Sequence, residues 1–155
     1  MQRFFATDTD RVRLFQRIVL AAVIFPHGAQ KLFGWFGGYG FEGTMGFMTQ
    51  QGIPAPLAFL VIIGESLGAV ALAFGLFTRL TAFGVAAIMV GAVAMVHWPV
   101  GFWMNWTGTQ AGEGFEYHLL ALALAIPLIV KGGGLGAIDR AIARAIARRH
   151  TYART

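Results

Sequence analysis

Leu57-Ala-Phe-Leu-Val-Ile-Ile-Gly-Glu-Ser-Leu-Gly-Ala-Val-Ala-Leu-Ala-Phe-Gly-Leu-Phe77 carries one ionisable side chain, Glu65, in 21 residues. About 20 mostly apolar residues, rising about 1.5 Å each, suffice to cross the hydrocarbon layer of a bilayer. Three further segments follow the same pattern, at about residues 12–35, 80–98 and 115–130. The expected fold is therefore all-α: a four-transmembrane-helix bundle over residues 1–136, with spans at about 12–35, 57–77, 80–98 and 115–130. The last span is short, so it is expected to tilt little or to begin within the interface. Pro26 is expected to kink the first.

Composition agrees with lipid as the solvent. The chain is 57% hydrophobic and 12% charged, where soluble domains carry about 25% charged residues. One soluble core could not hide so much apolar surface. The 21 glycines suit close helix approach in a membrane. The chain has no cysteine, which excludes disulfides, thiolate metal sites, Fe–S clusters and Cys nucleophiles.

Charge placement predicts topology. Of the 12 basic residues, 11 fall in the N-terminal flank (Arg3, Arg11, Arg13, Arg17), the 2–3 link (Arg79) and the C-terminal tail (Lys131, Arg140, Arg144, Arg148, Arg149, Arg154). Lys31 alone falls on the other side. Basic flanks stay in the cytoplasm, so a multi-pass protein of a bacterial-type inner membrane is expected, with both termini cytoplasmic. No A-x-A-like site follows the first apolar stretch, so it is read as a retained helix rather than a cleaved leader. Loops 36–56 and 99–114 then face outward, with Trp35, Trp98, Trp103, Trp106, Tyr39 and Tyr117 as an interfacial aromatic belt.

After Gly132-Gly133-Gly134 the pattern changes. In residues 137–155, Ile138, Ile142 and Ile146 repeat at i, i+4, i+8, and Arg140, Arg144 and Arg148 repeat on the opposite face. Such a basic amphipathic helix is expected at the inner membrane surface, and it accounts for a pI near 10.5 without nucleic acid as a partner. Gly38-Tyr39-Gly40-Phe41-Glu42-Gly43 matches G-x-G-x-x-G in letters only. No strand precedes it and no helix is expected to open after it, so no nucleotide is indicated.

Ionisable residues inside spans are costly and tend to face the bundle interior. Counting depth along each helix brings His27, Lys31, His97, Glu113, Glu116 and His118 to one layer under the outer face. His27 and Lys31 share a helix face at i, i+4. Glu65 lies about 12 Å below the outer end of its helix, in a G-x-x-x-G spacing that favours tight contact, and Lys31 or a histidine is its expected partner. Glu116 and His118 point about 200° apart, and the deeper His118 is expected to face inward. Histidines with a carboxylate can bind metals, but no spacing such as H-E-x-x-H is present. No metal is indicated; a proton relay or a hydrogen-bonding pocket for a quinone headgroup is the simpler reading. His27, Lys31, Glu65 and His97 are the candidate relay or headgroup residues, with Trp98, Glu116 and His118 as candidate substrate contacts.

Pro26-His27-Gly28-Ala29-Gln30-Lys31-Leu32-Phe33-Gly34, Gly52-Ile53-Pro54, Gly75-Leu76-Phe77-Thr78-Arg79, His97-Trp98-Pro99 and Glu113-Gly114-Phe115-Glu116-Tyr117-His118 together resemble the DoxX family of small membrane proteins. The resemblance runs from about residue 11 to residue 140. It implies a four-helix membrane domain and an association with membrane redox chemistry, since the family takes its name from a quinone-reducing thiosulfate oxidoreductase. Three functions are open at this point. The first is a quinone-linked oxidoreductase component that draws electrons from a partner, with Lys31 stabilising charge on a reduced headgroup and Glu65 feeding protons. The second is a non-catalytic subunit or scaffold of a larger redox complex. The third, a transporter, would require a homo-oligomer because no inverted repeat is visible.

Overall fold

The computed structural model describes residues 4–152; Arg3, Arg154 and the side chain of Arg149 lie outside the described residues. Every regular element among them is helical. Helix α1 spans Arg11–Phe33 and runs through Pro26. A short α2, Gly40–Gln50, follows. Then come α3 at Ala55–Phe74 and α4 at Thr78–His97, α5 at Glu116–Lys131 and α6 at Ile138–Tyr152.

Three of these, α1, α3 and α4, are long and apolar enough to cross a membrane. The fourth apolar segment gives α5, whose 16 residues reach about 24 Å, less than the roughly 30 Å of a typical hydrocarbon layer. The segment expected as one outer loop, 36–56, contains α2, a helix of 11 residues. Its glycines and lone Glu42 had disguised it.

Packing is inside-out relative to a soluble protein. The buried core is narrow and made of small or slender side chains: Leu20, Ala21 and Ile24 of α1, Ala69 and Leu72 of α3, Ala82, Val85 and Met89 of α4, and Ala121, Ala125 and Leu128 of α5. The large apolar side chains Phe15, Leu60, Phe83, Val90 and Leu120 point outward and are exposed. Alanine contacts let helices approach closely, while the outward ring of Phe and Leu suits lipid. Helix α5 packs chiefly on α4, and α1 lies against both α3 and α5.

One end of the bundle, called here the basal end, holds the start of α1, the α3–α4 turn, the end of α5 and the start of α6. Arginines fasten it. Arg79 donates to the carbonyls of Ile129 at 2.8 Å, Val130 and Ala6 at 3.0 Å. Arg13 donates to the Lys131 carbonyl at 2.6 Å and pairs with Asp8 and Asp10. The last carbonyls of a helix lack intrahelical donors and carry the negative end of its dipole, so guanidinium groups satisfy both needs. Asp10 in turn caps α1, accepting from the Val12 amide at 2.7 Å. Reading these arginines only as topogenic flanks misses this: Arg13 and Arg17 are buried.

Candidate functional site

Glu65 and His97, the ionisable residues read in the second and third spans, each sit in a widened turn. In α3 the π-turn covers Gly64–Gly68, and in α4 it covers Val93–His97, closed by the Trp98 amide donating to the Val93 carbonyl at 2.8 Å. Such turns are rare, re-aim a side chain and cluster at functional positions. In α3 the Ser66 hydroxyl donates to the Ile62 carbonyl at 2.6 Å, returning a partner to a backbone group at the disturbed ladder.

Lys31 of α1 donates to Glu65 of α3. The Glu65 side chain is 7% exposed and that of Lys31 25%, so a charge pair bridges two helices away from water. Burial makes each partner depend on the other, because a lone buried charge is strongly unfavourable. The close approach comes from Gly28, not from the Gly64/Gly68 pair. A Cβ on Gly28 would lie 2.1 Å from the Glu65 carbonyl oxygen and 2.4 Å from the Ser66 nitrogen. Gly64 instead meets the Ile88 side chain, and Gly68 meets no other helix.

The imidazoles form the second half. The rings of His97 and His118 lie 4.2 Å apart between centroids, joining the end of α4 to the start of α5. The His97 Nδ1 meets the Glu113 carbonyl at 2.7 Å. A carbonyl only accepts, so Nδ1 holds the proton, and in the neutral ring Nε2 keeps its lone pair. His118 is buried, and neither its Nδ1 nor the buried Tyr117 hydroxyl has a partner among the described residues. Buried polar atoms are seldom left so.

Tyr117 links the two halves. Its ring is 6.1 Å from that of His27 and 5.3 Å from that of His118. His27 lies one helical turn from Lys31 on α1, and the His118 ring lies against that of His97. His27 nevertheless occupies an exposed face of α1. The ring contacts thus bring His27, Tyr117, His118 and His97 together, while the Lys31–Glu65 pair stands one helical turn along α1 from His27. Among the described residues, no three His, Asp or Glu side chains converge as a metal-ligand set. The chemistry available from this geometry is hydrogen bonding and proton exchange.

Of the expected substrate contacts, Glu116 is engaged by the loop and Trp98 lies on the surface. The Glu116 carboxylate accepts from the Met104 amide at 3.2 Å and the Trp106 indole at 3.1 Å, so it organises the 99–114 loop. Trp98 is 68% exposed and stacks on Phe115 at 5.6 Å. It also lines an apolar groove of about 410 Å³ with Val90, Val93, Ala94, Leu119 and Leu122, next in sequence to both paired histidines. Tyr117, read from sequence as part of the aromatic belt, is the participant missed there. Its place between Glu116 and His118, one helical step from each, was the available signal.

A family model described as DoxX matches residues 12–98, a stretch that contains His27, Lys31, Glu65 and His97 but ends before His118. A Bacillus subtilis (strain 168) protein named "Putative oxidoreductase CatD" is 29% identical over 126 residues, which cover 81% of this chain and 83% of that protein. No solved structure matches the chain.

Proposed function

Because the chain belongs to the DoxX family, we propose that it is a membrane component of a quinone-linked oxidoreductase. One observation carries the reading: the rings of His27, Tyr117, His118 and His97 follow one another at 4.2–6.1 Å between centroids, the buried Lys31–Glu65 pair stands one helical turn from His27, and an apolar groove adjoins the residues next to both paired histidines. The name of the Bacillus subtilis relative points the same way.

The topology proposed with it has four spans, α5 being the fourth, in a bacterial inner membrane with both termini cytoplasmic. The charge asymmetry supports it, and the basal end collects both the N-terminal flank and the root of α6. A bound quinone would supply two-electron, two-proton chemistry. In this reading His118 and the free Nε2 of His97 would hydrogen-bond its headgroup. The fit rests on the buried, unpartnered Nδ1 of His118 and hydroxyl of Tyr117, and on the groove, whose lining suits an isoprenoid tail. The Lys31–Glu65 pair can hold a proton at mid-membrane depth and pass it toward His27. The chain has no cysteine for an Fe–S cluster, and in this reading its electrons come from a partner protein.

Titration of the purified protein with a menaquinone or ubiquinone analogue tests this. Saturable binding that weakens at least about tenfold, or 1.4 kcal/mol, in His118→Ala and Glu65→Gln is expected. Absent binding, or binding indifferent to both changes, overturns it. The second reading, a non-catalytic subunit, is favoured by the exposed aromatics Tyr39, Trp103 and Trp106, which could seat a partner. Under it, Glu65→Gln lowers complex recovery while no quinone binds either form.

A further inference from the structure

Helix α6 leaves the bundle at a fixed height. Its Asp139 is 2% exposed, and the two carboxylate oxygens accept from the Phe77 and Thr78 amides, each at 2.8 Å. The Asp139 amide donates to the Gly75 carbonyl at 3.0 Å. Phe77 holds a left-handed φ of 49°, which a bulky residue adopts only when its surroundings impose it. The root of α6 is therefore locked to the turn between two membrane-length helices, where a bilayer surface would lie.

From that root the helix runs 15 residues. At roughly 100° per residue, Ile138, Ile142 and Ile146 share one stripe. Arg144 stands almost opposite, and Arg140 and Arg148 lie to either side of it. Arg144 and Arg148 are exposed, and Ile142 and Ile146 are half-buried. The only acid on the helix, Asp139, is already engaged. What remains is an apolar stripe flanked by cations that have no acidic partner among the described residues, on flexible stems that can snorkel to phosphates.

We propose that α6 recognises anionic phospholipid, laying its isoleucine stripe into the acyl boundary while Arg140, Arg144 and Arg148 bind headgroup phosphates. Charge complementarity selects this occupant. The proposal is independent of the quinone reading and of which leaflet the basal end meets.

The absence of cysteine allows a clean test: Ile146→Cys in nanodiscs of phosphatidylcholine alone or mixed with phosphatidylglycerol, followed by the rate of reaction with a soluble maleimide. Each arginine near an anionic surface is worth about fivefold in binding. A rate at least about tenfold slower in the anionic discs is therefore expected, with the difference shrinking at high salt. It should vanish when R140Q, R144Q and R148Q are added, with the bundle's melting temperature unchanged. Equal rates in both lipids, or protection retained by the triple variant, overturns the proposal. Protection in neutral discs on adding RNA would likewise overturn it, in favour of a nucleic-acid partner.

Discussion

Two side chains and one missing side chain control the interior of the site. Gly28 has no room for a methyl group, since any Cβ would overlap the Glu65 and Ser66 backbone. Gly28→Ala should therefore push α1 from α3 and cost about 1–3 kcal/mol, read as a lower melting temperature in detergent. The Lys31–Glu65 pair makes a different prediction. Removing one partner strands a buried charge, and Lys31→Met alone should cost about 3 kcal/mol, the low end for such pairs because a quarter of its side chain is exposed. The double change Lys31→Met with Glu65→Met should recover much of that loss. Additive losses in the cycle would show that the charges do not interact. A partner was foreseeable, because a lone carboxylate in an apolar run demands a cation, but the sequence left Lys31 and a histidine both open and the structure gives Lys31. Gly28 was not foreseeable, because no spacing in α1 says which backbone lies opposite.

At the scale of elements, caps and turns decide where helices stop. Asp139 acts from α6 as the cap of α4. Its removal in Asp139→Ala should cost about 1–2 kcal/mol, as lost caps do, and should speed hydrogen exchange at Phe77 and Thr78. The cap of α1 responds to acid. Hydrogen bonds from the Arg13 side chain hold Asp8 below its ordinary 3.8, and the Val12 amide does the same for Asp10. A carboxylate whose pKa falls on folding stabilises the fold above its unfolded value and loses that effect as pH drops toward its folded value. Protection at Val12 and Arg13, measured relative to the intrinsic exchange rate of an unstructured amide at the same pH, should thus be flat above about pH 4 and fall below it. Protection already falling near neutrality would count against these caps. The π-turns at Glu65 and His97 belong to this scale too, and periodicity could not announce them. A wider turn needs no special residue, only a tertiary reason to exist.

At the scale of the molecule, the distribution of large apolar side chains on the outside and alanine within makes sense only against lipid. Helices α1, α3 and α4 meet the length requirement; α5 is the element on which the proposed topology turns. Single cysteines introduced at Thr9, Ala141 and Ala111, all exposed, would locate it. With four spans, the first two stay unlabelled by an impermeant reagent in intact cells while the third reacts. Labelling that divides Thr9 from Ala141 would mean an odd number of crossings, and the two termini would then face opposite compartments.

The amino-acid order alone determined that the chain is helical and apolar and roughly where each long helix lies, because these follow from composition and a fixed rise per residue. Azimuth was legible only locally: the two-residue offset set His118 inward and Glu116 away from it, and His118 is buried, but partners on other helices were beyond it. Which way a side chain faces depends on the neighbour it packs against and on wider turns that reset the helical phase. Only the assembled structure could therefore join His97 to His118, bring in Tyr117, and turn Glu116 toward the loop. The same holds for Arg13 and Arg79: their charge was plain in the sequence, but the carbonyls they satisfy exist as free acceptors only where α5 ends against them.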